Sequence, residues 1–91
     1  TPEIIVPVPD AEKFALMQRF IEQARFADGK RNELDGLRVD FQDGWGLLRA
    51  SNTSPALTAR FEASDEEELE KIRAQFREQL ALVAPDLDIN F

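Results

Sequence analysis

The chain has 91 residues, with 18 acidic against 11 basic side chains (net charge −7), no histidine and no cysteine. That length holds one small domain around one core, and the acidic balance argues against nucleic acid, which needs a concentrated field of Lys and Arg. The missing cysteines exclude disulfides and thiolate metal sites, and the missing histidine removes the commonest general acid–base near neutral pH.

Along the chain, Glu3 to Val8 is short and β-branched and ends among Pro7 and Pro9. Proline cannot donate to a ladder, so this strand is expected at a sheet edge or to finish early. Asp10 is the expected N-cap of a first helix running to about Ala27. Its apolar stripe is Phe14, Met17, Ile21 and Ala24, with Phe20 beside them. Asp28-Gly29 stops that helix, and Lys30 to Glu33 reads as a polar loop. Leu37, Val39 and Phe41 alternate with Arg38 and Asp40, the pattern of a half-buried strand. Gln42-Asp43-Gly44 is a turn signal, so Trp45 to Ala50 is expected to return as a hairpin.

Beyond a polar loop, Leu57, Ala59, Phe61 and Ala63 alternate with Thr58, Arg60 and Glu62, a third strand of this run with one apolar face. Ser64-Asp65-Glu66-Glu67 reads as a capping box, with acids where the helix dipole favours them. The second helix carries Leu69, Ile72, Phe76, Leu80 and Val83 as its core stripe and stops before Pro85, leaving Asp86 to Phe91 as a short tail. The expected fold class is therefore α+β. A mostly antiparallel sheet is covered on one face by two amphipathic helices, in the order β-α-β-β-β-α. Trp45, between Gly44 and Gly46, is open to two readings, a stacking platform for a ligand or a core residue, of which the core residue is preferred. Arg60 either reaches a bound anion from the neighbouring strand or pairs with Glu62, Asp40 or another surface acid, and the surface pair is the preferred reading. The acidic run 65–68 is explained by the start of a capped helix, so no metal site is assigned.

The segment richest in chemistry is Arg49-Ala50-Ser51-Asn52-Thr53-Ser54-Pro55. A phosphate monoester needs several donors converging on three oxygens and at least one positive charge. Arg49 can supply a bidentate guanidinium, Ser51 and Thr53 hydroxyls, Asn52 an amide, and the turn backbone N–H groups. Asn52 also tolerates the left-handed backbone that would help the loop curl, and Pro55 pre-sets φ. The same residues also suit an ordinary solvated loop, because Ser, Asn and Pro are turn formers for purely local reasons. Against that plain reading stands Arg49, a charge closing an apolar strand, where it is costly without a partner or water.

Asp43-Gly44-Trp45-Gly46-Leu47-Leu48-Arg49-Ala50-Ser51-Asn52-Thr53, with Pro55 and Arg60-Phe61-Glu62-Ala63, resembles the C-terminal domain of the α-D-phosphohexomutases. The likeness runs from Thr1 to the end and is greatest to the bacterial phosphomannomutase/phosphoglucomutase branch. Related phosphoglucosamine mutases usually have Gly where Asn52 stands. The resemblance implies an α+β unit similar in shape to half of a TATA-binding-protein fold. It also implies a loop, Arg49, Ser51, Asn52 and Thr53, that grips the substrate phosphate not being transferred.

The resemblance further implies a larger, four-domain enzyme of which residues 1–91 are the last domain. That enzyme interconverts hexose 1-phosphate and 6-phosphate through a bisphosphorylated sugar, using a phosphoserine, Mg2+ and a glucose bisphosphate activator. The serine, the magnesium-binding acids and the sugar-specificity loop have no counterpart in this chain, so no catalytic residue is assigned and the domain alone is expected to be inactive. Its implied partners are the hexose phosphate and the other domains of the same polypeptide, with a hinge at Thr1 and Pro2. A start at Thr1 rather than Met fits a piece of a longer protein. With no signal peptide and no long apolar run, the expectation is a cytoplasmic monomer without membrane association. Two other readings stay open at this point: a free-standing small-anion-binding or regulatory module, and a structural or dimerising domain.

Overall fold

The computed structural model describes residues 3–91, so the expected hinge at Thr1 and Pro2 lies outside the described residues. The elements are β1 (Ile4–Pro7), α1 (Lys13–Gln23), β2 (Lys30–Asn32), β3 (Leu37–Phe41), β4 (Gly44–Ala50), β5 (Ala56–Ala63) and α2 (Glu66–Val83). The five strands form one antiparallel sheet in the order β1-β5-β4-β3-β2. Val6, Leu37, Val39, Leu48, Leu57, Ala59 and Phe61 project from one face of it and are essentially fully buried. Leu16, Met17, Phe20 and Ala24 of the α1 region meet them, as do Leu69, Ile72, Phe76 and Leu80 of α2. This is the expected α+β architecture with both helices on one face.

Phe76 is the centre of the core, with ring centroids at 4.6 Å from Phe26, 5.4 Å from Phe61 and 6.1 Å from Phe20. Its seat explains Gly46. In register, Gly46 stands between Val39 and Phe61 on the buried face, and any Cβ there would overlap the Phe76 ring.

Several expectations shift in detail. Lys30 to Asn32, read as loop, is the edge strand β2. Its polar side chains hide it from a hydrophobicity reading, and Arg31 turns inward to give its guanidinium to the carbonyls of Ile21 and Ala24. That contact satisfies the end of α1, which stops at Gln23 rather than Ala27, with Ala24 already extended (ψ 141°). Asp10 does not cap α1. The N-cap is Glu12, which makes no side-chain cap bond, and Asp10 pairs instead with Lys13. The buried stripe is rotated so that Leu16 is inside while Phe14 is 60% exposed.

At α2 the cap is Asp65, one residue after Ser64, with its carboxylate accepting the Glu68 N–H at 2.8 Å. The C-terminal segment is a working part of the fold. Leu87, Ile89 and Phe91 pack on the core, and Asn90 donates to the Ile5 carbonyl at 2.8 Å along the free edge of β1. As expected from Pro7, β1 is an edge strand.

Candidate functional site

β4 and β5 pair from Gly44–Ala63 to Ala50–Leu57, and residues 51–55 join them beyond the last pair. Along β4, Gly46 and Leu48 face the helices, so Trp45, Leu47 and Arg49 face the opposite, uncovered side. Arg49 therefore leaves the sheet at the strand end beside the loop, opposite Thr58 of β5.

The loop is held by its own polar groups. Ser51 Oγ accepts the N–H of Thr53 at 3.3 Å and of Ser54 at 3.1 Å. The Ser51 N–H donates to Ala56 O at 2.9 Å, and the Ala56 N–H donates to Ser54 O at 2.8 Å. Two anchors come from elsewhere: the Val8 N–H donates to Pro55 O at 3.0 Å, and Lys13 Nζ to Ser54 O at 2.9 Å. This serine-centred turn replaces the left-handed bend expected at Asn52. Among the described non-glycine residues only Asp28 has a positive φ. It also engages two backbone donors, the N–H groups of Thr53 and Ser54, within the loop itself.

Arg49, Ser51, Asn52 and Thr53 line one open cavity of about 360 Å³, together with Glu3, Ile5, Ser54, Ala56 and Thr58. The four residues singled out from the sequence thus line the same cavity. The Arg49 side chain is 35% exposed, and its guanidinium lies 3.1 Å from Asp35 Oδ2 and 3.9 Å from Glu3 Oε2. Asp35 comes from the β2–β3 turn. That turn presses on β4 at Gly36, whose φ of +73° and closeness to Leu48 O and Arg49 leave no room for a side chain. Glu3, Asp35 and Lys13 were not singled out by the sequence reading. The one local signal was Lys13, a cation at the start of a helix, where the dipole disfavours it.

The lining of the cavity offers one forked cation (Arg49), four hydroxyls (Ser51, Thr53, Ser54 and Thr58) and one side-chain amide (Asn52), a donor set suited to an anion, with the Glu3 carboxylate beside it. Among the described residues no group of three or more Asp, Glu, His or Cys is placed to hold a metal ion. Of the acids near the loop, Glu3 and Asp35 are engaged with Arg49.

Trp45 is not in the core as expected. It lies half-buried on the uncovered face, with the Arg38 guanidinium 4.3 Å from its ring centroid and its Nε1–H donated to Glu62 at 3.2 Å. Arg38 also bonds Asp40, holding that carboxyl below its usual value. The two acids expected for Arg60 are thus engaged with Arg38 and Trp45, and Arg60 has no ion pair among the described residues.

Fold and loop together define a small α+β domain with an anion-type donor set at one strand end. Residues 3–79 match the family described as phosphoglucomutase/phosphomannomutase, C-terminal domain, and the chain belongs to that family. It is 48% identical over 91 residues to the phosphomannomutase/phosphoglucomutase of Pseudomonas syringae pv. tomato, covering 100% of this chain and 20% of that protein. A phosphoglucomutase of Neisseria meningitidis serogroup B is 40% identical over 79 residues, covering 85% of this chain and 17% of its own. The crystal structure of a phosphoglucomutase/phosphomannomutase family protein from Burkholderia thailandensis matches with a TM-score of 0.88 at 34% identity, over 100% of this chain and 19% of that one. The chain spans about a fifth of the length of the relatives it matches.

Proposed function

We propose that this chain, residues 1–91, is the C-terminal phosphate-holding domain of a larger phosphomannomutase/phosphoglucomutase, in which Arg49, Ser51, Asn52 and Thr53 bind the phosphate of a hexose phosphate that is not being transferred. The observation that carries the reading is the shared cavity: a guanidinium, two hydroxyls and an amide, at the end of a strand pair that holds them in place. Such a group fixes the distal end of the sugar and so orients the reacting end, converting binding into alignment. Phosphate is also the feature common to both ends of a bisphosphorylated intermediate, so one clamp serves both orientations.

The donor set suits an anion and does not fit a magnesium ion, so the metal, the phosphoserine and the sugar-specific contacts belong to the rest of the polypeptide. The enzyme so assembled interconverts hexose 1-phosphate and 6-phosphate, is activated by a glucose bisphosphate, and works as a cytoplasmic monomer.

The test is a titration of the 15N-labelled chain with α-D-glucose 1-phosphate. Each charge-assisted hydrogen bond is worth at most about 1.5–3 kcal/mol, and association entropy offsets much of that, so binding by the chain alone is weak. The amides of Ser51, Asn52 and Thr53 shift first, and Arg49→Ala removes the shifts while leaving the remaining spectrum folded. Shifts confined to the acidic start of α2, at Asp65 to Glu68, would overturn the placement.

A further inference from the structure

Lys13 is a buried charge with no part in the function proposed above. Its side chain is 4% exposed, and its ammonium sits 2.8 Å from Asp10 Oδ1 and 2.9 Å from the carbonyl oxygen of Ser54. Burying an ammonium is unfavourable unless it is paired and hydrogen-bonded. Placing it at the first residue of α1 sets a cation at the helix end that favours anions. A leucine or methionine would fill the space without either penalty. Two local preferences overridden at one residue point to a demand set elsewhere in the molecule.

That demand is visible in what the ammonium holds. Ser54 gives its N–H to Ser51 Oγ at 3.1 Å, and its carbonyl takes both the Ala56 N–H and Lys13 Nζ. Ser54 is therefore gripped on both sides, and Asn52 and Thr53 span the short stretch between it and Ser51. Lys13 lies outside the cavity wall. Asp10, exposed to solvent, pairs with the ammonium at 2.8 Å while the ammonium donates to the Ser54 carbonyl.

We propose that Lys13 is a positioning residue for the 51–54 loop: its ammonium pins the Ser54 carbonyl and so keeps Ser51, Asn52 and Thr53 arranged to receive a phosphate monoester. The inference rests on the phosphate reading given above and extends it to the first turn of α1. A loop that holds its binding geometry only a fraction of the time binds more weakly by that fraction. Loss of Lys13 thus acts on affinity without removing any ligand contact.

The experiment compares the wild-type chain with Lys13→Met, Lys13→Arg and Arg49→Ala. Each is titrated with α-D-glucose 1-phosphate by NMR well below its Tm, and ligand-free amide exchange is followed at Thr53 and Ser54. Lys13→Met is expected to speed exchange at both amides and to weaken binding about tenfold, as for a loop competent about a tenth of the time. Lys13→Arg, which keeps the charge and the donors, restores most of the affinity. A purely structural lysine would lower Tm and leave the dissociation constant and the loop exchange unchanged, and that result overturns the proposal. If Lys13→Met does not fold, Lys13→Gln replaces it, with a smaller loss in the same direction expected and an unchanged affinity again decisive against it. A wild-type chain without shifts at Ser51 to Thr53 overturns the phosphate reading itself, and this proposal with it. Wild-type binding that Arg49→Ala abolishes and Lys13→Met leaves intact overturns this proposal alone.

Discussion

At the scale of single residues, the guanidinium of Arg49 is engaged before any ligand arrives. Asp35 holds it at 3.1 Å and Glu3 approaches to 3.9 Å, so an incoming phosphate must displace or share with two carboxylates. Both pairs are open to solvent in part, with the Arg49 side chain 35% exposed, and solvent-exposed pairs are worth about 0.2–1 kcal/mol. Asp35→Asn keeps the size and removes the competing charge, so phosphate affinity should rise about 1.5- to 5-fold at low salt. The gain should shrink as added salt screens the pair. Titration of D35N at two ionic strengths checks this, and equal affinities for D35N and wild type would show that the acid does not compete. The sequence could gather Arg49, Ser51, Asn52 and Thr53 because they lie within five positions of one another. It could not gather Asp35, which is 14 positions from Arg49, or Lys13, which is 41 from Ser54. Only the hairpin turn at Gly36 and the packing of α1 bring them in. The engagement of the Thr53 and Ser54 N–H groups was equally hidden, because the choice of Ser51 Oγ as their acceptor depends on how the loop closes against Ala56.

At the scale of elements, legibility followed periodicity. β3, β4, β5 and α2 alternate or repeat strongly, and all four fall where the pattern put them, within about two residues. β2 was missed because three polar residues on an edge strand carry no alternation of apolar character. α1 was placed too long because its end is set by Arg31 reaching back from β2, a tertiary event. The glycines of β4 are another tertiary matter, and Gly46 gives a test. A methyl group there would overlap the ring of Phe76, which is fully buried among Phe26 and Phe61. Gly46→Ala should therefore destabilise the chain by about 1–3 kcal/mol, the usual penalty of overpacking. In urea the midpoint should fall with the slope unchanged, while glucose 1-phosphate still shifts Ser51 to Thr53. An unchanged midpoint would mean that the core has slack at Phe76.

At the scale of the whole molecule, the sheet is covered by helices on one face only. The cavity at the end of β4 opens near the other, and the chain amounts to about a fifth of the relatives it matches. On the function proposed above, an open site on a small domain binds loosely by itself and depends on the rest of the polypeptide to align the sugar. Two results follow together. The 91-residue chain, mixed with glucose 1-phosphate, a glucose bisphosphate and magnesium, should produce no glucose 6-phosphate, because the role proposed for it, holding the distal phosphate, supplies no phosphoryl donor. In the complete polypeptide, Arg49→Ala should lower kcat/KM by roughly 30- to 150-fold, the worth of about 2–3 kcal/mol of charge-assisted contact. Arg49→Lys should lower it less, since lysine keeps the charge and loses the bidentate fork. If the site aligns as well as binds, as proposed, kcat should fall along with affinity, whereas a contact that only raised occupancy would leave kcat unchanged. Steady-state kinetics of both variants, with melting curves to establish that the fold is intact, make the comparison. Near-normal efficiency of a folded Arg49→Ala enzyme would remove Arg49 as the phosphate anchor, since an exposed arginine without such a role costs under about 0.5 kcal/mol when truncated.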